Sequence, residues 1–410
     1  MSGSTEPQDL GLTEEDLDAH VGAGDLSLTH TGRSSDPRRD YDAMRAVPLA
    51  YDHHGRPVLC RHADVVAAAH NPATYSSRVF RFLQVPNGLD GDAHRGARDL
   101  FDPFFSPGRM AELEPRIAEV ASNLVAALPY GQTIEAVGDL GARFAVRAQS
   151  AWLGWPQSLE EDLLAWMADN HDASRSGDLV RTRDVAEHFD DIIRQLVRPR
   201  RETGVPDDLT TELAQLHDAS GALLSEEVLV SVLRNWTGGD LGSMALCVGV
   251  VTHWLAAHPR QQDDLRAASD ADLVAAIDEM LRIDDPFVAN RRIVTADISL
   301  SGCPVQAGQE VVLNWTAANR DPEVFDDAER FNPEQNASAN LVYGTGSHAC
   351  PGRPLAAMEL RVLIRTLVTA VHVARGPHPA QRERPPRGGY SRVPIIVAPR
   401  SADPSIGVKA

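Results

Sequence analysis

Cysteine is scarce in this chain: four among 410 residues, at Cys60, Cys247, Cys303 and Cys350. No two are close in sequence and no Cys-x-x-Cys occurs, so zinc-type spacing is absent. Such sparse thiols fit a reducing compartment better than a disulfide framework. Positive charge is also short, with 39 Lys+Arg against 58 Asp+Glu and a formal net charge of −19. That balance argues against charge-driven binding to nucleic acid or anionic membranes. Long apolar runs are missing: the longest, over 244–257, is interrupted by Thr252 and His253 and falls short of a membrane span. The N-terminus lacks the basic and apolar regions of a signal peptide. Neither an internal repeat nor a low-complexity linker is present. The expectation is a cytoplasmic protein with no membrane and no nucleic-acid partner.

What is present reads mainly as helix, on a chain long enough to bury a generous core. Residues 1–40 are polar and rich in Gly, Ser and Asp, and read as a lead-in. Helical patterns cover 64–70, 94–104, 115–128, 159–173, 180–197, 273–283 and 353–371. Ser225 is a fitting N-cap, with Glu226 and Glu227 in the first turn of a helix of more than thirty residues. Short strands are expected at 57–61 and 393–397, with broken alternation over 298–313, and a loop over 75–89.

The densest motif is residues 343–353, Tyr-Gly-Thr-Gly-Ser-His-Ala-Cys-Pro-Gly-Arg. Gly344, Gly346 and Gly352 permit backbone geometries that other residues resist, so this loop can approach a flat ligand closely. Cys350 is placed just before a helix, whose N-terminus favours thiolate over thiol. A lone cysteine is most often an inert buried thiol, but Gly-x-Gly-x-His-x-Cys-x-Gly is a long, specified pattern. A thiolate on such a loop suits one axial position of haem iron. Glu279 and Arg282 share a helix face, as do His94 and Arg98. Gly238, Gly239 and Gly242 interrupt the long helix at a cost of about 1 kcal/mol each relative to alanine, which points to something approaching its backbone.

Together these segments resemble the cytochrome P450 family, from about residue 40 to the end of the chain. The resemblance implies a mainly α-helical, triangular haem domain with small β-sheets, over residues 41–410. It implies haem b, with Cys350 as the axial metal ligand and Tyr343, Gly344, Gly352 and Gly239 around the cofactor. His94, Arg98, Arg292 and His348 match residues that hold the haem propionates. Glu279, Arg282 and Arg330 match a buried charge network that braces the fold. Near the helix centre the family holds an acid followed by an alcohol that deliver protons. Counted without a gap from the helix end, Ser243 takes the alcohol position and Gly242 the acid position; aligned on the glycines, Asp240 is the acid. Trp236, Phe287, Val288, Ala289 and Tyr390 fall in regions that meet substrate. The segments 86–90, 235–237, 286–288, 290–292 and 313–315 look most like bacterial members fused to a reductase.

The implied activity is insertion of one oxygen atom from dioxygen into a small organic substrate, by hydroxylation, epoxidation or dealkylation. A monomer served by a separate ferredoxin and ferredoxin reductase is expected, with a role in secondary metabolism. The altered acid–alcohol pair keeps atypical chemistry open, such as peroxide-driven turnover, nitration or oxidative coupling. A non-catalytic binding or recruitment module and a gas sensor are the rivals of other classes, and the intact Cys350 weighs against the module.

Overall fold

The computed structural model describes residues 36–80, 82–218 and 220–400, so most of the 1–40 lead-in lies outside the described residues. The first helix already begins within it. The longer helices are α1 Pro37–Arg45, α2 His62–Ala69, α3 Gly91–Phe101, α4 Pro107–Ala126, α5 Arg143–Leu153, α6 Glu160–Ser176, α7 Leu179–Thr203, α8 Leu209–Ala214, α9 Glu226–Gly238, α10 Asp240–Ala257, α11 Pro259–Ala267, α12 Asp270–Ile283 and α13 Arg353–Ala370. The strands are β1 Ala50–Tyr51, β2 Pro57–Leu59, β3 Tyr75–Ser76, β4 Thr133–Glu135, β5 Ala289–Val294, β6 Ile298–Leu300, β7 Cys303–Val305, β8 Glu310–Asn314, β9 Val371–Arg375, β10 Gln381–Arg382, β11 Tyr390–Arg392 and β12 Pro394–Pro399.

Local chemistry sets the helix ends. Ser225 accepts from Val228 N–H and starts α9, and Asp178 accepts from Val180 and Arg181 N–H and starts α7. Gly177 in the left-handed region closes α6. Pro115 reads as a helix start, yet α4 begins at Pro107 and runs through it. Proline is favoured at the first helical position, and the buried stripe Met110, Leu113, Ile117 and Ala121 holds the helix together past Pro115. The single long helix expected after Ser225 is α9 and α10, joined at Gly239 with backbone angles still helical (φ −73°, ψ −36°). By length and composition Glu226–Ala257 is apolar enough to cross a membrane, contrary to the expectation from its interrupted apolar run, but 67% of its most apolar window is buried inside the molecule.

The helical core packs α13 against α4 and α10 against residues 136–142, a stretch of wide helical turns. Beside it lies a five-stranded sheet in the order β1-β2-β8-β5-β3, with β2 and β8 parallel and the other pairs antiparallel. β5 carries Arg291 and Arg292 from this sheet to the helical core, and Arg292 pairs in register with Val311. The helix break, β5 and the Cys350 loop converge on one cavity.

Candidate haem and substrate cavity

The cavity has a volume of ≈ 530 Å³ and is lined by Cys350 and Gly352 on one side and by Gly239, Asp240 and Ser243 of the helix break. Phe105, Trp152 and Trp236 form an aromatic wall: the two indoles stack with centroids 5.1 Å apart, and Phe105 lies 5.1 Å from one and 5.0 Å from the other. Gln84, Pro86 and Asn87 close it from the 77–90 loop. That loop is tied to α9. Ser231 Oγ accepts from Val85 N–H at 2.8 Å and donates to Leu83 O, Arg234 donates to Leu83 O at 2.7 Å, and Asn235 donates to Val85 O at 2.9 Å.

The cysteine loop owes its path to glycine. Gly344 and Gly346 have φ of +67° and +76°. A Cβ on Gly346 would also drive into the Ala69 carbonyl of α2. Cys350 N–H donates to Tyr343 O at 2.9 Å, which closes the loop. Replacing Gly346 with alanine should therefore cost more than about 2 kcal/mol, since the left-handed region alone costs about 1–2 kcal/mol. Urea unfolding, read with haem retention, checks it; an unchanged midpoint counts against this packing.

Cys350 is exposed, but to the cavity that it lines. The helix start does aim N–H groups of Gly352 and Arg353 at the sulfur, as the sequence leads one to expect. Burial outweighs them and pushes the thiol up to about 11. The protein alone therefore holds a thiol, and a bound metal is what would deprotonate it. The Tyr343 hydroxyl is buried beside the Asp278 carboxyl, and the Arg353 guanidinium sits over its ring at 5.1 Å.

At the cavity edge, His348 and Arg292 line the wall. His348 Nε2 lies 3.0 Å from Ser77 Oγ, and its ring packs against His94 with centroids 4.1 Å apart and planes tilted by 42°. Burial, then His348 and Arg98, pulls His94 down to about 4, so its imidazole is neutral at pH 7. Arg98 donates to the carbonyls of Ser347 and Ala349 and to Asp102, which ties α3 to the cysteine loop. Arg292 is buried, its one hydrogen bond goes to Arg291 O, and no carboxylate lies within ion-pair distance among the described residues. Burial pulls it down to about 10, with Asp90 opposing. A buried cation without a counter-charge is costly, and an anionic ligand in the cavity would supply one. Thiol, cationic edge and aromatic wall fit a haem with two propionates.

On the opposite wall, burial raises Asp240 to about 7. Ser243 Oγ donates to Gly239 O at 2.7 Å, satisfying a carbonyl at the helix break. Glu359 lies wholly buried on α13 with Oε1 unpaired; burial, then Asp240, pushes it well above the usual carboxyl range. Sequence reasoning missed Glu359, although it stands as an acid within the apolar stripe of 355–367. It also missed Arg387, whose guanidinium reaches Gly242 from a distant hairpin.

Glu279 and Arg282 form a bidentate pair at 2.7 and 2.9 Å, both side chains buried. The expected third member, Arg330, does not join through its side chain, which is exposed; only its carbonyl accepts from Arg282, at 3.4 Å. The Asn319 and Ala328 carbonyls, Asn332 N–H and Asn336 complete the network. Val288 and Ala289, expected to meet substrate, pack instead into a separate small core with Tyr41, Val58 and Val312. Tyr390 is likewise away from the cavity wall, where its hydroxyl donates to Asp284 at 2.8 Å. Phe287 and Trp236 do line the cavity.

A helical molecule whose glycine loop presents one thiol to a cation-edged cavity has the layout of a haem-thiolate enzyme. The cytochrome P450 family model matches residues 177–386. The chain is 31% identical over 323 residues to the vitamin D(3) 25-hydroxylase of Pseudonocardia autotrophica, covering 77% of this chain and 78% of that protein. It is 29% identical over 323 residues to the cyclomarin C epoxidase CymV of Salinispora arenicola, covering 75% and 81%. The solved structure of a mutant of P450 EryK in complex with erythromycin B superposes with a TM-score of 0.81 at 25% identity, covering 89% of this chain and 97% of that one. The chain belongs to the cytochrome P450 family and is an oxygen-inserting monooxygenase. The family implies haem with a cysteine thiolate, and the use of organic substrates, dioxygen and a redox partner.

Proposed function

We propose that the cavity holds haem b with Cys350 as its axial thiolate, within a single haem domain over residues 41–410. One observation carries the proposal: the Cys350 sulfur and the unpaired Arg292 guanidinium open onto the same cavity. Haem bound there supplies dioxygen activation, with the thiolate favouring O–O cleavage. Arg292 and His348 meet the propionates. Arg98 and His94 act behind them, Arg98 by holding the loop carbonyls and His94 by packing its tilted ring against His348. Gly239, Gly344 and Gly352 leave room for the macrocycle, and the Tyr343 ring shields the sulfur.

Asp240 faces the cavity with a carboxyl poised near neutrality, which suits a group that takes up and releases a proton at its oxygen. Ser243, on the same wall of the cavity, is a second proton carrier, and Glu359 holds a proton behind. Replacing Asp240 with asparagine should lower turnover about 100-fold or more and flatten the decline in rate above about pH 7. Burial raises the Asp240 pKa from 3.8 to about 7, so the folded state holds this proton more tightly, and its contribution to stability, full below about pH 3.8, is lost as pH rises to about 7. A pH–rate profile identical in both proteins would remove Asp240 from the relay.

Trp236 and Phe287 offer apolar faces to a small organic substrate, and Asp240 and Ser243 bound its reacting end. Relatives named for cyclomarin C and vitamin D(3), and a neighbour bound to erythromycin B, support a secondary metabolite. The enzyme is a cytoplasmic monomer fed by a separate ferredoxin and ferredoxin reductase. Titrating the holoenzyme with small aromatics and metabolites should give spin-state shifts for a subset, and turnover should require both electron-transfer proteins. Silence across the panel counts against the reading. Gly242, with no side chain at the acid position, favours a second reading in which peroxide drives the reaction. It gains support if peroxide outpaces the reductase system.

A further inference from the structure

The tip of the C-terminal hairpin folds back over the α10 wall of the cavity. Gly388 N–H donates to Pro286 O at 3.0 Å, and Arg387 bridges antiparallel to Phe287, whose side chain lines the cavity. This places the Arg387 guanidinium against Gly242. A Cβ at 242 would stand 2.8 Å from one terminal guanidinium nitrogen and 3.4 Å from Cζ. The guanidinium therefore occupies the space that a side chain at 242 would take, one residue from Ser243 in the cavity wall.

The charges around Arg387 do not balance. Glu383 is buried, and its carboxylate lies 3.1 Å from the Arg175 guanidinium and 3.6 Å from His171 Nε2. One of its oxygens also accepts from Arg384 N–H at 2.7 Å. Glu383 is thus ion-paired with a guanidinium from α6, while its Oε2 accepts no hydrogen bond among the described residues. Among the described residues Arg387 donates no hydrogen bond and forms no ion pair within 4 Å. Burial pulls its pKa down, Glu383 opposes the fall and Arg175 adds to it; the group stays charged at neutral pH regardless. Two guanidiniums share one carboxylate here, and Arg387, the one that donates no hydrogen bond, packs on α10 at Gly242, which lies in sequence between the cavity-lining residues Asp240 and Ser243.

We propose that Arg387 binds an anionic group of the organic substrate, a carboxylate, and anchors it over Gly242 beside Asp240 and Ser243. A guanidinium fork matches a carboxylate with two parallel hydrogen bonds. The adjacent ring of Phe287 and the indole of Trp236 suit an aromatic or aliphatic body on that acid. The inference deepens the function proposed above and rests on its reading of the cavity as the substrate's chamber.

Calorimetric titration of the holoenzyme with matched pairs tests it: benzoate against benzamide, phenylacetate against phenylacetamide, hexanoate against hexanamide, with inorganic phosphate as competitor. The carboxylates should bind at least about tenfold tighter than their amides, the size of a charge-assisted hydrogen bond. Arg387→Gln should abolish the preference and Arg387→Lys should keep part of it. Gly242→Asp places a carboxylate of the chain itself at the guanidinium, so it too should abolish the preference, and it decides the matter if the glutamine variant does not fold. Equal affinities within each pair overturn the proposal, as does a preference that survives in Arg387→Gln. Phosphate that displaces the amides as well as the acids also overturns it. Soret absorbance of the same samples reports the haem reading separately. Protein without haem sinks that reading, while the acid–amide comparison is still scored by calorimetry.

Discussion

Replacing Glu279 with alanine should destabilise the fold by about 3–5 kcal/mol, the range for removing one partner of a buried ion pair. The cost comes from what remains. Arg282 is fully buried, and Glu279 takes its Nε at 2.7 Å and one terminal nitrogen at 2.9 Å. Without the carboxylate those donors and their charge face the interior. The Phe325 ring, 4.6 Å from Cζ, and three backbone carbonyls cannot replace a full negative charge. Glu279 Oε1 also accepts from Asn332 N–H and Asn336 Nδ2, so two more donors lose their acceptor. The damage should reach the cysteine loop. Arg282 holds the Asn319 carbonyl at 2.7 Å, and Asn319 Oδ1 accepts from Leu341 N–H at 2.8 Å, two residues before Tyr343. Urea denaturation gives the energy and the Soret band gives haem retention. A loss below about 1 kcal/mol would place the pair among weak surface bridges.

Removing the sulfur should have the largest effect on activity. In Cys350→Ala the loop keeps its glycine turns and the Cys350 N–H bond to Tyr343 O, because neither uses the side chain. The cavity and its cationic edge therefore survive, and haem can still enter through Arg292 and His348. The axial thiolate is gone, and with it the electron push that favours O–O cleavage. Turnover should fall to background while urea stability changes little. Retained turnover in the alanine variant contradicts the assignment of Cys350.

The cysteine loop and the Glu279–Arg282 pair can be read from sequence because each is local: eleven residues in one turn, and two residues on one helix face. Other parts depend on partners far along the chain. Val288 and Ala289 are small and apolar, which suits a pocket and a core equally; packing against Tyr41 and Val58, more than two hundred residues away, decides for the core. Arg330 matches a motif by identity, yet the network uses its carbonyl, and a sequence pattern does not say which atom of a residue does the bonding. Arg98 reads as a propionate ligand by resemblance; in the fold its Nε bonds Asp102 and one terminal nitrogen bonds the carbonyls of Ser347 and Ala349, a second task that no pattern of spacing announces. The thiolate bias expected at the start of α13 is real in direction, and burial overrides it. Arg387 is invisible to pattern reading, since its meaning comes from the absence of a side chain at Gly242.

The central claim is a haem held by the Cys350 thiolate, and the carbon monoxide difference spectrum of the reduced protein tests it most directly. The parent should show the long-wavelength band of a thiolate-ligated haem, and Cys350→Ala should lose it while still binding haem. A parent spectrum of the histidine-ligated type, or a thiolate band that persists in Cys350→Ala, would contradict the account.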